Sequence, residues 1–345
     1  MTKTLKVGIV GYGYATATFH APLISSVPGI ELLAIASSDA SKVHAVLPHV
    51  TVCESPQALF ARTDIDLVII PTPNDTHYAL AAQALAAGKH VVVDKPFTLN
   101  VADALDLIAR ADAAQRVLSV FHNRRWDADF LTVQKLLSEG VLGRVTHFES
   151  HFDRYRPEVR NRWREAGGPG SGLWYDLGPH LLDQALCLFG MPQTISLDTA
   201  TQRDKAVADD WFHAILRYDN LRVVLHGSAL VAHQGPRFAI HGTQGSFTKY
   251  GLDPQEDALK TGARPGDVNW GIDTQPGQLD VLRGSWMQQS AVVSEQGDYA
   301  RFYAQMRDAI VHGQANPVPA SEALQVMQLI TLGKTSFAEG RVLAT

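Results

Sequence analysis

The chain has 345 residues, 46% hydrophobic and 19% charged, with a formal net charge of -5 and two cysteines. That length exceeds one ordinary core and predicts two domains, while the mildly acidic balance (pI 6.3) lacks the basic footprint of a nucleic-acid binder. Two distant cysteines form no disulfide framework, no apolar run approaches about 18 residues, and "MTKTLKVGIV" enters a strand without a signal peptide, so a cytoplasmic protein with no membrane partner is expected.

The first strand, Leu5 to Val10, leads into "GYGYATATFHAPLI", a glycine turn entering a helix. Gly11 permits a tight turn, and Gly13 lets the backbone approach a pyrophosphate. Tyr14 and Ala15 open the helix, whose free N–H groups and dipole favour an anion. Thr16 occupies the third position of G-x-G-x-x-G, so the fingerprint is incomplete, and glycines after a strand also mark plain turns. The elements that follow supply the context. "IELLAIASS" is a second strand, "DIDLVIIPTPN" a buried strand stopped by Pro71 and Pro73, "THYALAAQALAAG" a helix ending at Gly88, and "KHVVVDKP" a further strand. Such alternation predicts a doubly wound α/β Rossmann domain that binds NAD(P), over residues 1–123.

Ligands of a doubly wound sheet sit at the carboxyl ends of its strands. The candidates are therefore Gly11, Gly13, Tyr14 and Ala15; Ser37 and Ser38; Pro71, Thr72, Asn74 and His77; Asp94, Lys95 and Pro96; and Asn123. An NAD site usually places Asp or Glu after the second strand, on the ribose hydroxyls. Ser37 stands there, with room for a 2′-phosphate that Lys42 can reach, whereas Asp39 argues for NAD. NADP is favoured over NAD.

Residues 124–345 read as an α+β substrate-binding and oligomerisation domain. "RVTHFESHFDRY", "TISLDTATQR", "DWFHAILRYD", "LRVVLHGSALV" and "PRFAIHGTQGSFTKY" alternate as strands of a large, mostly antiparallel open sheet, with a tight turn at Asp219-Asn220. Residues 299–312 and 321–334 are helical, the C-terminal helices having the option of packing back on the first domain, and "GARPGDVNWGIDTQPG" is a long loop. The helix in "WYDLGPHLLDQALCLFG" is mostly apolar yet holds Asp176, His180 and Asp183. Burying ionised groups costs several kcal/mol unless they are paired. Pro179 is expected in the first turn, with His180, Asp183 and Gln184 on one face. Asp176 either caps the helix or joins that face. The chain has fourteen histidines, and His147 and His151 share a strand face. No cluster at ligand spacing accompanies them, so no metal is expected; His213 and His226 read as hairpin residues.

"VVVDKP" and "GSGLWYDLGPHLLD" resemble the Gfo/Idh/MocA family of sugar and cyclitol oxidoreductases, and the likeness covers nearly the whole chain. Lys95 and Pro96 match the family's (E/D)-K-P, with Asp94 in place of the commoner Glu. Gly172, Asp176, Gly178, His180 and Asp183 match its G-G-x-L-x-D-x-G-x-H-x-x-D. "GYGYATATFHAPLI", "SVFHNRRWDADFLTVQKLLSEG", "RYRPEVRNRWRE" and "SFTKYGLDPQEDALKTG" are similar to the NADP-dependent scyllo-inositol dehydrogenase branch, from which Asp39 departs by replacing an expected basic residue.

The resemblance implies hydride transfer between NADP or NAD and a polyol, with His180 as acid/base, Lys95 hydrogen-bonded to the reacting oxygen, Asp176 on an adjacent hydroxyl and Asp183 orienting His180. It also implies a homodimer or homotetramer. Asn123 and Arg125 are candidates for cofactor or substrate contact. Arg154, Tyr155, Arg156 and Trp163 are candidate pocket walls, each equally suited to the surface. The alternatives are another sugar or aldose dehydrogenase, a redox-assisted glycosidase that recycles bound NAD, and a non-catalytic NAD(P)-binding sugar sensor. Lys95, Asp176 and His180 occurring together favours catalysis.

Overall fold

The computed structural model describes residues 4–345, and the chain divides into two compact units. In the first, β1 (Leu5–Val10), β2 (Ile30–Ala36), β3 (Thr51–Cys53), β4 (Leu67–Ile70), β5 (His90–Asp94) and β6 (Leu118–Phe121) form one sheet in the order β3-β2-β1-β4-β5-β6. Every pairing is parallel. The central strands β1, β4 and β5 are short runs of Val, Ile and Leu buried on both faces, as a sheet covered by crossover helices requires. The order reverses between β1 and β4, which puts the ligand crevice of this sheet type at their carboxyl ends. The short strands β3 and β6 were not singled out by chain-order reading.

The first unit is not a single stretch cut at 123/124. It runs to Trp126 and adds residues 255–270 and 298–324. Aromatic burial explains the addition. The helix Ala300–His312 carries Phe302, whose ring meets Phe121 edge-on at 5.0 Å and Trp126 at 5.8 Å. The buried Gln255 amide ties the segments further, donating to Trp126 O and accepting from Tyr299 N.

The second unit holds β7 (Val145–Asp153), β8 (Thr194–Ala200), β9 (Trp211–Arg217), β10 (Arg222–Ser228), β11 (Phe238–Gly242), β12 (Gly245–Lys249), β13 (Gly277–Arg283), β14 (Trp286–Val292) and β15 (Leu343–Ala344). They form a nine-stranded sheet ordered β14-β13-β12-β11-β7-β10-β9-β8-β15. Only β7 and β10 pair in parallel. Alternation sends Phe148, Ser150 and Phe152 of β7 to one face, with His147, Glu149, His151 and Asp153 on the other. The expected turn lies between β9 and β10, closed by Tyr218 N to Leu221 O. The β13–β14 hairpin escaped sequence reading because β14 is exposed along almost its whole length and lacks a buried alternation.

The helix Leu173–Phe189 packs on the Phe148 face, with Trp174 against Phe212 at 5.1 Å and Phe189 against Phe148 at 5.3 Å. It begins earlier than expected, so Pro179 lies inside it and not in the first turn. Nor does Asp176 cap it. The cap comes from Asp209, whose carboxylate accepts Trp174 N at 2.7 Å and whose carbonyl accepts Leu173 N at 2.7 Å. Gly172 makes this possible: its φ is +94°, and a Cβ there would lie 2.0 Å from Asp209 Oδ1. Gly172→Ala is therefore expected to destabilise the protein by about 2 kcal/mol or more, through backbone strain and loss of the cap. A urea midpoint unchanged from wild type would refute this.

Candidate active site

Within the first unit, the predicted nucleotide residues gather at the carboxyl ends of β1, β2, β4 and β5. Gly11, at φ +89°, turns the chain out of β1, its N–H bonded to Ala36 O and its carbonyl held by the Thr16 hydroxyl at 2.8 Å. Thr16 thus secures the turn from the position of the missing third glycine. Gly13 and Tyr14 are exposed where the helix begins, Ala15 is half-buried, and nothing lies within 4 Å of where a Gly13 Cβ would stand. An open backbone cradle at a helix start, beside the switch point of the sheet, fits a dinucleotide pyrophosphate.

After β2, Ser37 and Ser38 stand with exposed Lys42 beyond them. The Asp39 carboxylate is engaged as a helix cap, accepting Lys42 N at 2.9 Å. The loop after β4 (Pro71, Thr72, Asn74) and the loop after β5 (Asp94, Lys95, Pro96) are joined by a buried histidine. His77 Nδ1 lies 2.9 Å from Pro96 O and Nε2 2.9 Å from Thr72 O. Burial pushes the His77 imidazole pKa down, against the pull of Asp94 and the neighbouring carbonyls. The neutral ring has one N–H, so His77 donates to one of these two loop carbonyls and packs against the other.

Lys95 is half-buried, and its N–H donates to Asp94 Oδ1 at 2.7 Å. Asp94 Oδ2 lies 3.8 Å from His20 Nε2, and His20 Nδ1 meets the Tyr303 hydroxyl. Burial works to raise the Asp94 pKa, but His20, Lys95 and His77 outweigh it and hold the carboxyl below its ordinary value. Asp94 is thus kept as an anion next to Lys95.

Within the second unit, Asp176, His180 and Asp183 follow i, i+4, i+7 spacing on the helix Leu173–Phe189, so they share one face with Gln184. His180, Asp183 and Gln184 are buried. Gln184 accepts from the Arg237 guanidinium at 2.8 Å, and Arg237 in turn approaches Asp129 at 3.4 Å. Asp176 faces two cations, Arg164 Nε at 3.3 Å and Arg154 Nη1 at 3.8 Å. These residues, with Arg156, Arg162 and Arg203, border a small open cavity of about 30 Å³. Its wall is braced by ion pairs: buried Arg203 holds Asp210 at 2.9 Å and Glu165 at 3.1 Å, while half-buried Arg162 holds Glu165 at 2.6 Å. The arrangement offers an anchored carboxylate and several guanidinium donors, with a buried histidine one turn along the same helix.

Residues 5–122 match the description "Oxidoreductase family, NAD-binding Rossmann fold", and residues 134–345 match "Oxidoreductase family, C-terminal alpha/beta domain". The chain belongs to the Gfo/Idh/MocA family. It is an oxidoreductase, of the dehydrogenase kind that acts on CH–OH groups. It is similar to the oxidoreductase YdgJ of Escherichia coli K12, at 56% identity over 96% of each chain. It is also similar to the scyllo-inositol 2-dehydrogenase (NADP(+)) IolW of Bacillus subtilis, at 40% identity over 99% of this chain and 96% of that one. Among solved structures, the YPO2259 oxidoreductase of Yersinia pestis superposes with a TM-score of 0.97 at 53% identity, covering 100% of this chain and 98% of that one. No described helix of this Gfo/Idh/MocA protein is long and apolar enough to cross a membrane.

Other candidates named from sequence fall differently in this family member. Asn123 is buried at the end of the nucleotide half. Arg125 is committed within its own unit, to Glu322 at 2.7 Å and Pro317 O at 3.3 Å, which makes it a loop anchor. Tyr155 is exposed and Trp163 sits under the Arg164 guanidinium at 4.5 Å; neither borders the cavity, whereas Arg156 does. Sequence reading missed His20, Tyr303, Arg164, Arg203 and Asp209. His20 and Tyr303 are 283 positions apart, and no local pattern links them.

Glu165 gives the site a pH signature. Burial works to raise its pKa, but the Arg160 N–H and the Arg162 and Arg203 charges outweigh it and hold the carboxyl below 4.5. Its stabilising contribution is then fully present above pH 4.5 and is lost as pH falls through the lower folded value. The stability gap between wild type and Glu165→Gln should be widest near neutrality and narrow on acidification below pH 4.5. Urea melts across that range check this, and a gap constant with pH would refute it.

Proposed function

We propose that this protein transfers hydride between NADP(H) and a secondary alcohol of a cyclitol, with scyllo-inositol and its ketone as the leading pair. The observation that carries the reading is the placement of Asp176 and His180 on one helix face, with the carboxylate flanked by Arg154 and Arg164. A polyol presents several hydroxyls and needs several fixed donors and acceptors, which this wall supplies. The name of the B. subtilis relative points to the same substrate and cofactor. NADP over NAD is supported by the open Ser37–Ser38 corner and by the engagement of Asp39 as a cap, which leaves Lys42 available to a 2′-phosphate.

Bound nicotinamide supplies the acceptor for the hydride that leaves the carbinol carbon. His180 takes the hydroxyl proton, since an imidazole pKa lies nearest the working pH. The family motif gives the Lys95 ammonium the role of hydrogen-bonding the reacting oxygen and stabilising the charge that develops on it. Asp176 accepts from an adjacent hydroxyl and sets the ring's orientation, and Asp183 positions His180. In the reverse direction His180 returns the proton to the ketone oxygen. The same reading expects a cytoplasmic homodimer or homotetramer.

Initial rates of NADP and NAD reduction against a panel of inositols and aldoses test the proposal. The expected result is NADP reduction with scyllo-inositol, lowered by about 10²–10⁴ in kcat in Lys95→Ala and in His180→Ala, the latter with cofactor affinity retained. No reduction of either cofactor by any polyol would sink the reading and bring forward the sugar sensor. Ser37→Asp should reverse the cofactor preference by placing a carboxylate where the 2′-phosphate lies. Unchanged NADP selectivity in that variant would place the determinant elsewhere.

A further inference from the structure

Outside the site described above, β7 and β10 bring together a donor set that linear spacing hides. His151 and His226 are register partners across the parallel β7–β10 pair, and Asp153 lies two residues beyond His151 on the same face. One donor atom from each of His151, Asp153 and His226 lies within 4.8 Å of the others. His226 Nε2 is 3.5 Å from Asp153 Oδ1, and His151 Nδ1 is 3.6 Å from Asp153 Oδ2. Nitrogen and oxygen donors about 2.1 Å from a tetrahedral centre stand about 3.4 Å apart, so the His226–Asp153 Oδ1 separation is already near the required value, while His151 approaches the other oxygen of the same carboxylate.

We propose that His151, Asp153 and His226 form a binding site for a divalent transition-metal cation of the zinc class, clamping β7 to β10. Two further observations carry the argument. The Asp153 side chain is 8% exposed, and its Oδ1, which faces His226, is buried without a hydrogen-bond partner among the described residues. Such an atom is costly to desolvate unless a cation meets it. The outer nitrogen of His151 is also committed: Nε2 lies 3.1 Å from Glu149 Oε2, while Glu149 Oε1 meets His147 at 2.6 Å. In the neutral tautomer that donates Nε2–H to Glu149, Nδ1 keeps its lone pair on the Asp153 side, so a cation replacing the Nδ1 proton would complete the carboxylate–histidine–metal relay that orients ligating imidazoles.

Two imidazoles and one carboxylate suit zinc better than magnesium or calcium, which take mostly oxygen. The Arg237 guanidinium, which lines the same small cavity as His151 and Asp153, is already bound to Ser150, Gln184 and Asp129. His151 and Asp153 also border a small cavity of about 10 Å³ against residues 234–237 and 251–252, space of the order of one water as a fourth ligand.

The test uses tag-free, full-length protein stripped with a chelator, reloaded with zinc, separated from unbound metal and assayed for metal per chain. Cobalt titration reads the coordination number from its ligand-field spectrum. Wild type is expected to retain one zinc per chain, give a four-coordinate cobalt spectrum, and melt at a higher temperature with zinc than without. Asp153→Asn and His226→Gln should weaken binding at least about tenfold, and Glu149→Gln about 10–100-fold, while exposed His241→Gln binds as wild type. Wild type that retains no metal, or His226→Gln loading as wild type does, overturns the proposal. The wild-type stoichiometry decides it even if a variant fails to fold.

Discussion

An ionised carboxylate on an otherwise apolar helix has to be met by cations, and the second unit is arranged around that requirement. Asp176 sits in the first turn of a helix whose other faces carry Trp174, Leu177, Leu181 and Leu182 into the core. Arg154, from the end of β7, and Arg164, from the following loop, supply the matching charge. That loop needs bracing in turn, and Arg203 and Arg162 provide it through Glu165 and Asp210. Removing one member of such a set strands its partner without compensation, at a cost of about 3–5 kcal/mol for buried pairs. The charges that line the cavity wall are thus the same ones that brace it.

The nucleotide unit solves a different problem. Its sheet is a close-packed slab of Val, Ile and Leu, so polar chemistry is confined to the loops that leave the strands. Those loops are held by short, specific bonds: Thr16 on Gly11, Asp39 on its own helix, and His77 between Thr72 and Pro96. His20 and the adjacent Lys95, the lysine the family motif marks, hold the Asp94 carboxyl below its ordinary value against the effect of burial. Preorganising donors in this way removes reorganisation from the moment of reaction.

Much of this was readable because it is local. Strand–helix alternation, the paired prolines after β4, the Lys95-Pro96 step and the Asp176–His180 spacing all lie within a few residues of one another. Their periods reflect backbone geometry that tertiary contacts do not change. What could not be read was non-local or unpatterned. The start of the helix Leu173–Phe189 was misplaced because its cap comes from Asp209, 35 positions from the Trp174 N–H that it accepts. The β14 strand was missed because neither of its faces is buried, so no alternation was selected.

By itself the sequence determined a two-part chain with a parallel nucleotide-binding sheet, a mostly antiparallel partner sheet and a family-specific set of lysine, aspartate and histidine. Hydrophobic period and turn chemistry act over a few residues and survive reading in one dimension. Tertiary structure alone decided which cations hold Asp176, that Asp39 is a cap, that Arg125 is an anchor, and that His151, Asp153 and His226 meet. Those outcomes depend on strand register and on side chains up to hundreds of positions apart. A charge or an imidazole acquires its partner, and with it its chemistry, only when the chain has closed around it.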